Sequence, residues 1–464
     1  MTSIIPNYTE NEKQMHSTIE FFFKENKIGS LLRQSNVLKL KGSSCLFIFK
    51  ILFYLVFTGK NLFRILQSQK DHFPFAKDVI YRFLQSTSYN WRKFLLLLSS
   101  NIIINRIQSL TSEERVNVLI VDDSLYDRSR SKSVELLARV HDHTDNRYKK
   151  GFRMLTLGWS DGNTFLPLAF TLLSSHKASN RLCSENPNID KRSNGYKIRK
   201  HAVLKSPAAM MNLIRQAKSF GIPAKYVLFD SWFTYPRILM ELLTENLHTI
   251  AMVKAMPKVY YTYKDKQMNL KTLYSNVKKK RGKAKILASV IVQIGTDEFK
   301  NPIQAKIVFV RDRNRSRKWL ALISTDLELE AEEIIRIYGK RWDIEVFFKM
   351  TKSFLRLSKE FQCRSYDALV AHTTIVFTRY IMLALEKRKN EDFRTLGNIF
   401  YYCCDELDDI HFACALQLII DILKDALQDK LFLSKQQISE FIDFFISRLP
   451  DFFKEKMVFL SCES

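Results

Sequence analysis

The spacing of hydrophobic positions changes character along the chain, and each change marks a different kind of element. Over residues 1–112 the apolar residues fall in helical runs. One is CLFIFKILFYLVFTG, Cys45 to Gly59, and another covers 94–104. Between them, FAKDVIYRFLQSTSYNWRKFLL predicts a short helix, a Ser/Asn-rich turn and a second helix carrying Trp91, Arg92 and Lys93. Lys50 interrupts the first run, which falls short of the ~18 uninterrupted apolar residues of a membrane span, so a buried helix is expected there.

From Val116 the pattern becomes that of buried strands. VNVLIVD, Val116 to Asp122, is a continuous β-rich run ending in carboxylates. GFRMLTLGW and TFLPLAFTLL predict two more strands, joined by the turn SDGN at Ser160 to Asn163. PAAMMNLIRQAKSFG, Pro207 to Gly221, is a helix with Pro at its start and Gly at its end. KYVLFD, Lys225 to Asp230, is another buried strand ending in Asp; PRILMELLTENL is a helix and HTIAMVK a closing strand. Three strands with one hairpin, then helix, strand, helix, strand, is the order of a ribonuclease-H-like α/β core. AKILASVIVQIG, AKIVFVRD and KWLALIST predict further strands, separated by the basic runs KKKRGKAK and RDRNRSRK. From Glu330 onward the pattern is helical.

The expected fold class is therefore α/β: a ribonuclease-H-like catalytic core with a β-rich insertion, flanked by helical N- and C-terminal regions. The expected divisions are a helical region at 1–112, the first part of the core at 113–254, the insertion at 255–328, completion of the core at 329–390, and a helical C-terminal region at 391–464.

Charge adds a partner to this picture. The 464 residues hold 73 Lys and Arg against 48 acids, a formal +25 with a pI near 9.6. Such an excess points to a polyanion, nucleic acid ahead of a membrane surface. Seven Cys, without any CxxC pair, suggest reduced thiols in an intracellular setting and no zinc finger. Cys403 and Cys404 read as helix packing residues, and the polar MTSIIPNYTENEKQ start predicts no signal peptide. In this light the Trp91 segment is either a DNA-binding helix-turn-helix or an ordinary helical hairpin. The stretch Ser174 to Ser206, rich in Lys and Arg, is either a DNA-contacting loop or a floppy solvated one. HDHTD, His141 to Asp145, lacks the i,i+4 His spacing of a helical metal site, and a metal cluster is not expected there.

Three acids stand out by position. Asp122 and Asp230 are each expected to end a strand, where functional groups gather in open α/β sheets. Glu345 lies in YGKRWDIEVFFKMTK, Tyr338 to Lys352, which predicts one helix. On its wheel Tyr338, Arg341, Glu345 and Lys352 share a face, bordered by Trp342 and Lys349. A solvated face with i,i+4 ion pairs is the plain reading. The other reading joins the three carboxylates as an oxygen site for Mg²⁺ or Mn²⁺, two ions of which support in-line displacement at phosphorus. Arg341, Lys349 and Lys352 would then hold backbone phosphates. Asp123, next to Asp122, faces the opposite way in a strand, so one of the two is the ligand.

The spacing Tyr338-x2-Arg341-x3-Glu345-x6-Lys352 resembles the YREK signature of DDE transposases of the bacterial insertion-sequence type, family four. IVDDS, Ile120 to Ser124, resembles their first acid strand and LFDSWF, Leu228 to Phe233, their second; the resemblance covers about residues 115–365. It implies a DNA transposase acting by cut and paste, with Asp122, Asp230 and Glu345 binding two Mg²⁺ or Mn²⁺ ions. Asp122 is preferred to Asp123 because the acid–any–Ser spacing resembles several relatives. Tyr338, Arg341 and Lys352 would contact transposon-end phosphates. Trp319 sits where relatives place a base-stacking Trp, with a packed strand aromatic as the other reading. The implied partners are double-stranded DNA, as terminal inverted repeats and as target, and a second copy in a homodimer. The implied setting is the bacterial cytoplasm, at the nucleoid and not at a membrane. The rivals are a ribonuclease-H-fold nuclease without strand transfer and a transposase-derived DNA-binding protein.

Overall fold

A computed structural model describes residues 17–59, 62–63, 75–110, 115–142, 145–280, 284–312, 318–360, 363–389, 395–431 and 433–449. The chain opens with helices α1 (Thr18–Glu25), α2 (Ile28–Gln34), α3 (Cys45–Tyr54), α4 (Lys77–Leu84) and α5 (Trp91–Ile102). Strands β1 (Val118–Asp127), β2 (Ala138–Asp142), β3 (Arg147–Ser160) and β4 (Phe165–Leu173) follow. Then come α6 (Asn194–Ala202), α7 (Ser206–Ser219), β5 (Tyr226–Phe229), α8 (Pro236–Thr244) and β6 (His248–Val253). The next segment holds β7 (Tyr260–Tyr263), β8 (Lys266–Asn269), α9 (Leu270–Asn276), β9 (Ile286–Thr296), β10 (Pro302–Arg311) and β11 (Trp319–Ser324). It ends in α10 (Ala331–Gly339), α11 (Trp342–Ser353), α12 (Tyr366–Lys389), α13 (Leu396–Leu431) and α14 (Lys435–Arg448).

The five core strands lie in the order β4-β3-β1-β5-β6. β1 pairs antiparallel with β3 and parallel with β5, and β5 parallel with β6. This is the mixed sheet of a ribonuclease-H-like core. At the β3–β4 turn Asp161 accepts hydrogen bonds from the N–H groups of Asn163 and Thr164, at 2.9 and 2.8 Å, and Gly162 takes a φ of +91° that favours glycine. β6 would be an exposed edge, but β11 pairs with it antiparallel, and β10, β9, β7 and β8 continue the same sheet. The insertion thus extends the core sheet. α1–α3, α4 and α5 share one hydrophobic core with the strands and with α12, while α13 and α14 enclose a small separate cluster around Leu416, Ile420 and Ile438.

Several expectations change here. β1 does not end at Asp122; it runs on to Asp127 against β3, and only its ladder with β5 stops at Val121. The Cys45 run is a buried helix, as expected. α12 is long and apolar enough to cross a membrane, and that apolar window is entirely buried within the protein. Trp91 stacks on Phe49, and Arg92 donates to Thr171 Oγ1 at 2.9 Å and to His201 Nδ1 at 2.8 Å. Trp91 and Arg92 at the start of α5 therefore face inward, while Lys93 is exposed. Ser174 to Ser206 is not a floppy loop, because it holds α6. Arg199 on that helix donates to Glu135 at 2.6 and 2.7 Å and to Asp367 at 2.6 Å, fastening the segment to α12. In HDHTD, His143 and Thr144 lie outside the described residues, and Asp142 pairs with Lys149 at 2.8 Å.

Candidate active site

The parallel register sets Ile120 beside Leu228 and Val121 beside Phe229, so Asp122 and Asp230 follow side by side at one end of that ladder. The expected single helix from Tyr338 to Lys352 is broken. α10 ends at Gly339, Lys340 and Arg341 make a tight link, and α11 starts at Trp342. The link keeps short-range bonds, Arg341 N–H to Tyr338 C=O and Ile344 N–H to Arg341 C=O. α11 is held on the core by buried Ile344 and Phe347, the latter against Phe165, Phe377 and Tyr380. On another face Asp343 accepts from Ser160 Oγ at 2.6 Å. This anchoring turns Arg341, Glu345 and Lys352 toward β1.

Arg341 is the hinge of the site. Its Nη1 donates to Asp122 Oδ2 at 3.0 Å, and its Nη2 donates to Glu345 Oε1. One guanidinium thus joins the first-strand acid to the helix acid. Its carbon also lies 5.9 Å from the centre of the Tyr338 ring. Burial pushes the Asp122 carboxyl up to about 7; Asp123 and Asp230 add to this, and Arg341 opposes it. Among the charges around Asp122, Arg341 has the largest effect. Burial also raises the Tyr338 phenol, whose hydroxyl finds no hydrogen-bond partner.

Asp123 points elsewhere. Its carboxylate pairs with Arg153 of β3, a residue that sequence reasoning missed. The one available signal is that Arg153 is the cation inside the otherwise uncharged run GFRMLTLGW. Lys352 donates to Ser124 Oγ at 2.5 Å, on the same strand face as Asp122, and burial lowers its ammonium below the ordinary value. Lys349 is exposed on α11. Trp319 begins β11 and stacks on Tyr274 with centroids 4.7 Å apart, edge-on to Phe309 at 5.3 Å. In this conformation it is a packed strand aromatic.

Among the described residues, no group of three or more His, Cys, Asp or Glu side chains is gathered as a metal site. Arg341 supplies the physical reason, since it fills the space between Asp122 and Glu345. The donor set still suits a hard divalent ion. Every candidate ligand is a carboxylate, and Asp122 is held protonation-prone by burial, with smaller additions from Asp123 and Asp230. An ion at these carboxylates would have to take the place of Arg341 between Asp122 and Glu345.

Residues 56–285 match the DDE superfamily endonuclease family, and residues 204–382 match the transposase DDE domain. The two stretches together take in Asp122, Asp230 and Glu345. A run of 102 residues is 26% identical to the transposase for insertion sequence element IS1151 of Clostridium perfringens, over 20% of this chain and 21% of that relative. The chain thus spans about a fifth of the length of the curated relative it matches.

Proposed function

We propose that this chain is a DDE transposase that cuts and joins DNA to move an insertion element, of the family-four type with the YREK signature. The observation that supports the reading best is Arg341 bridging Asp122 and Glu345, with Asp230 beside Asp122. Asp122, Asp230 and Glu345 would hold Mg²⁺ or Mn²⁺, and two such ions would activate the attacking oxygen and stabilise the leaving one. Arg341 has a second use. A guanidinium that donates to two carboxylates can donate instead to a phosphate, which likewise offers anionic oxygens to its planar fork of N–H groups. Lys352 and Tyr338 flank it as further phosphate contacts, with Lys349 farther out.

Water would attack the element end and release a 3′-hydroxyl. That hydroxyl would attack the opposite strand to give a hairpin, which is reopened and joined to target DNA. The DNA partners are the terminal inverted repeats and the target. A second copy would bridge two ends; α13 and α14 expose Ile419, Ile422 and Phe444 as apolar surface for it.

The test uses a plasmid carrying the DNA that flanks the coding region. Purified protein with Mg²⁺ should nick at the element ends and join them to a second plasmid. Asp122→Ala, Asp230→Ala and Glu345→Ala should each abolish nicking, while Asp123→Ala retains it. Nicking by Asp122→Ala but not by Asp123→Ala would overturn the ligand assignment. Nicking without joining would favour a nuclease.

A further inference from the structure

The hairpin of β2 and β3 reaches past the end of β1. β1 pairs with β3 as far as Asp127 opposite Gly151, and one further bond, Arg128 N–H to Lys150 C=O at 2.9 Å, closes that ladder. Toward the turn, among the described residues, β3 is paired with β2 alone. The register is Arg139↔Lys150, Val140↔Lys149, His141↔Tyr148 and Asp142↔Arg147. A two-stranded ribbon of this kind has little stability of its own.

Its charges make it less stable still. Side chains alternate across a strand, so Arg139, Tyr148 and Lys150 share one side of the ribbon. Arg139 and Lys150 lie directly opposite each other, and like charges so placed repel. Both are exposed, as is Arg147. The acids of the hairpin do not relieve them, because Asp142 and Asp145 each pair with Lys149. Among the described residues, Arg139, Arg147 and Lys150 have no ion pair, and Tyr148 keeps 74% of its surface exposed.

Exposed cations that face one another with no acid to answer them suit a polyanion. A two-stranded ribbon is, besides a helix, the element that the major groove of DNA admits. The ribbon is also well placed. Through the pairs Asp122↔Thr156, Ser124↔Met154 and Tyr126↔Phe152, Lys150 falls on the same side of the pleat as Asp122 and Ser124. Lys150 is six residues along β3 from Thr156, roughly 20 Å. That is the rise of about six base pairs of duplex. The charges of Asp142, Asp127 and Lys149 act on the Lys352 ammonium, so the stem of the ribbon stands beside the end of α11.

We infer that the β2–β3 ribbon lies in the major groove of the duplex next to the cut, with Arg139 and Lys150 on the phosphates of its two walls and Tyr148 toward its floor. The inference rests on the DNA-cutting reading. It adds to that reading a grip on paired DNA about half a helical turn from the acids. The plain alternative is a solvated, charged sheet edge.

The test is binding of a mixed-sequence duplex by the full chain, in buffer without divalent ions, by fluorescence anisotropy across a range of salt. Arg139→Ala and Lys150→Ala should each make the salt slope shallower by about 0.9, and the double variant by about 1.8. Arg139→Lys should restore the wild-type slope, which damage to the fold would not explain. Tyr148→Ala should lose affinity at an unchanged slope. Lys424→Ala, on α13, should match wild type. Without DNA, Arg139→Ala and Lys150→Ala should melt at or above wild type, because each removes the repulsion; a fall in both would overturn the strained pair. On a duplex whose cytosines carry glucosylated hydroxymethyl groups, which fill the major groove, wild type and the double variant should bind alike. Unchanged slopes for both single variants overturn the inference, and so does a difference that persists undiminished on the filled groove. Unchanged slopes with altered self-association in sedimentation would assign the ribbon to a second copy instead. Magnesium-dependent nicking by wild type is read separately. If it occurs while the variants keep the wild-type slope, the ribbon alone fails; if it is absent while the slopes shift as expected, the cutting reading alone fails.

Discussion

Arg199 and Arg341 each bridge two carboxylates that come from different elements, yet their surroundings differ in every respect that matters for function. Arg199 is 2% exposed, between Glu135 at 9% and Asp367 at 4%. It also donates to Gly195 C=O at 2.7 Å, and Glu135 accepts from the N–H groups of Asn186 and Tyr366 at 2.8 and 2.9 Å. Burial alone would raise the Glu135 carboxyl, but Arg199 and these N–H groups hold it below its ordinary value. Arg341 is 17% exposed, between Asp122 at 22% and Glu345 at 35%. It has one bond to each, two further Asp nearby, and an unsatisfied phenol beside it. The first arrangement is buried and closely hydrogen-bonded, so it fastens α6 to α12. The second is more exposed and less fully hydrogen-bonded, so it can exchange a partner for a cation or a phosphate.

The sharpest way to break this comparison is to delete each arginine. Arg199→Met should cost about 3–5 kcal/mol of folding stability, because two carboxylates would stay buried without their shared cation. Arg341→Met should cost about 1 kcal/mol or less, since Asp122 and Glu345 reach solvent and Asp122 already takes a proton readily. Urea denaturation at pH 7 measures both. Similar losses for the two variants would mean that the active-site arginine is as structural as the other.

The sequence made one of these sites legible and hid the other, for physical reasons. Asp122 and Asp230 follow contiguous apolar strands, Val118–Val121 and Tyr226–Phe229, and adjacency in a parallel sheet brings them together. The predicted core strands and helices appear in their predicted order, with β2 and α6 added between them. Glu345 was marked by the Tyr–Arg–Glu–Lys spacing. Nothing local marks Arg199 and Asp367, which are 168 residues apart and meet only through tertiary packing. For the same reason α6 was lost within a polar, basic stretch. Periodicity also placed Tyr338 and Lys352 on one unbroken helix. The break at Lys340–Arg341 has no Pro to announce it, and it matters because it frees Arg341 to reach across to β1.

A second test sharpens the contrast on the fastened side. His201, at the end of α6, accepts from Arg92, and burial followed by the Arg92 charge pushes its imidazole down to about 4. An unfolded His titrates near 6.5. Between those values the unfolded chain binds the extra proton and the native chain does not, so stability rises with pH in this window. The contribution is complete above about pH 6.5 and is lost as pH falls through about 4; its full size is up to about 3 kcal/mol. His201→Gln, which keeps an acceptor for Arg92, should flatten the stability–pH curve between pH 6.5 and 4 relative to wild type. Parallel curves for the two proteins would remove His201 from the account.

The smallest effect is also the most specific, because one substitution should act with opposite signs at the two sites. Tyr366 belongs to the fastened site. Its hydroxyl is buried and donates to Leu172 C=O at 2.7 Å, while its N–H serves Glu135. Tyr338 belongs to the open site, and its buried hydroxyl has no hydrogen-bond partner. A satisfied buried hydrogen bond contributes about 1 kcal/mol, and an unsatisfied buried donor costs about 1–3 kcal/mol. Tyr366→Phe should therefore lower stability by about 1 kcal/mol or somewhat more, since it also strands the Leu172 carbonyl. Tyr338→Phe should raise stability of the DNA-free protein by about 1 kcal/mol, because it removes a buried hydroxyl whose polar neighbour, Arg341, is a donor only and leaves the phenolic proton without an acceptor. The stabilised variant should then bind element ends more weakly than wild type, since the hydroxyl would be kept for a phosphate oxygen that arrives with the DNA. Thermal melts of both variants, with a gel shift for Tyr338→Phe, decide the matter. A destabilised Tyr338→Phe, or a stabilised one with undiminished end binding, would mean that the phenol is not held in reserve for substrate.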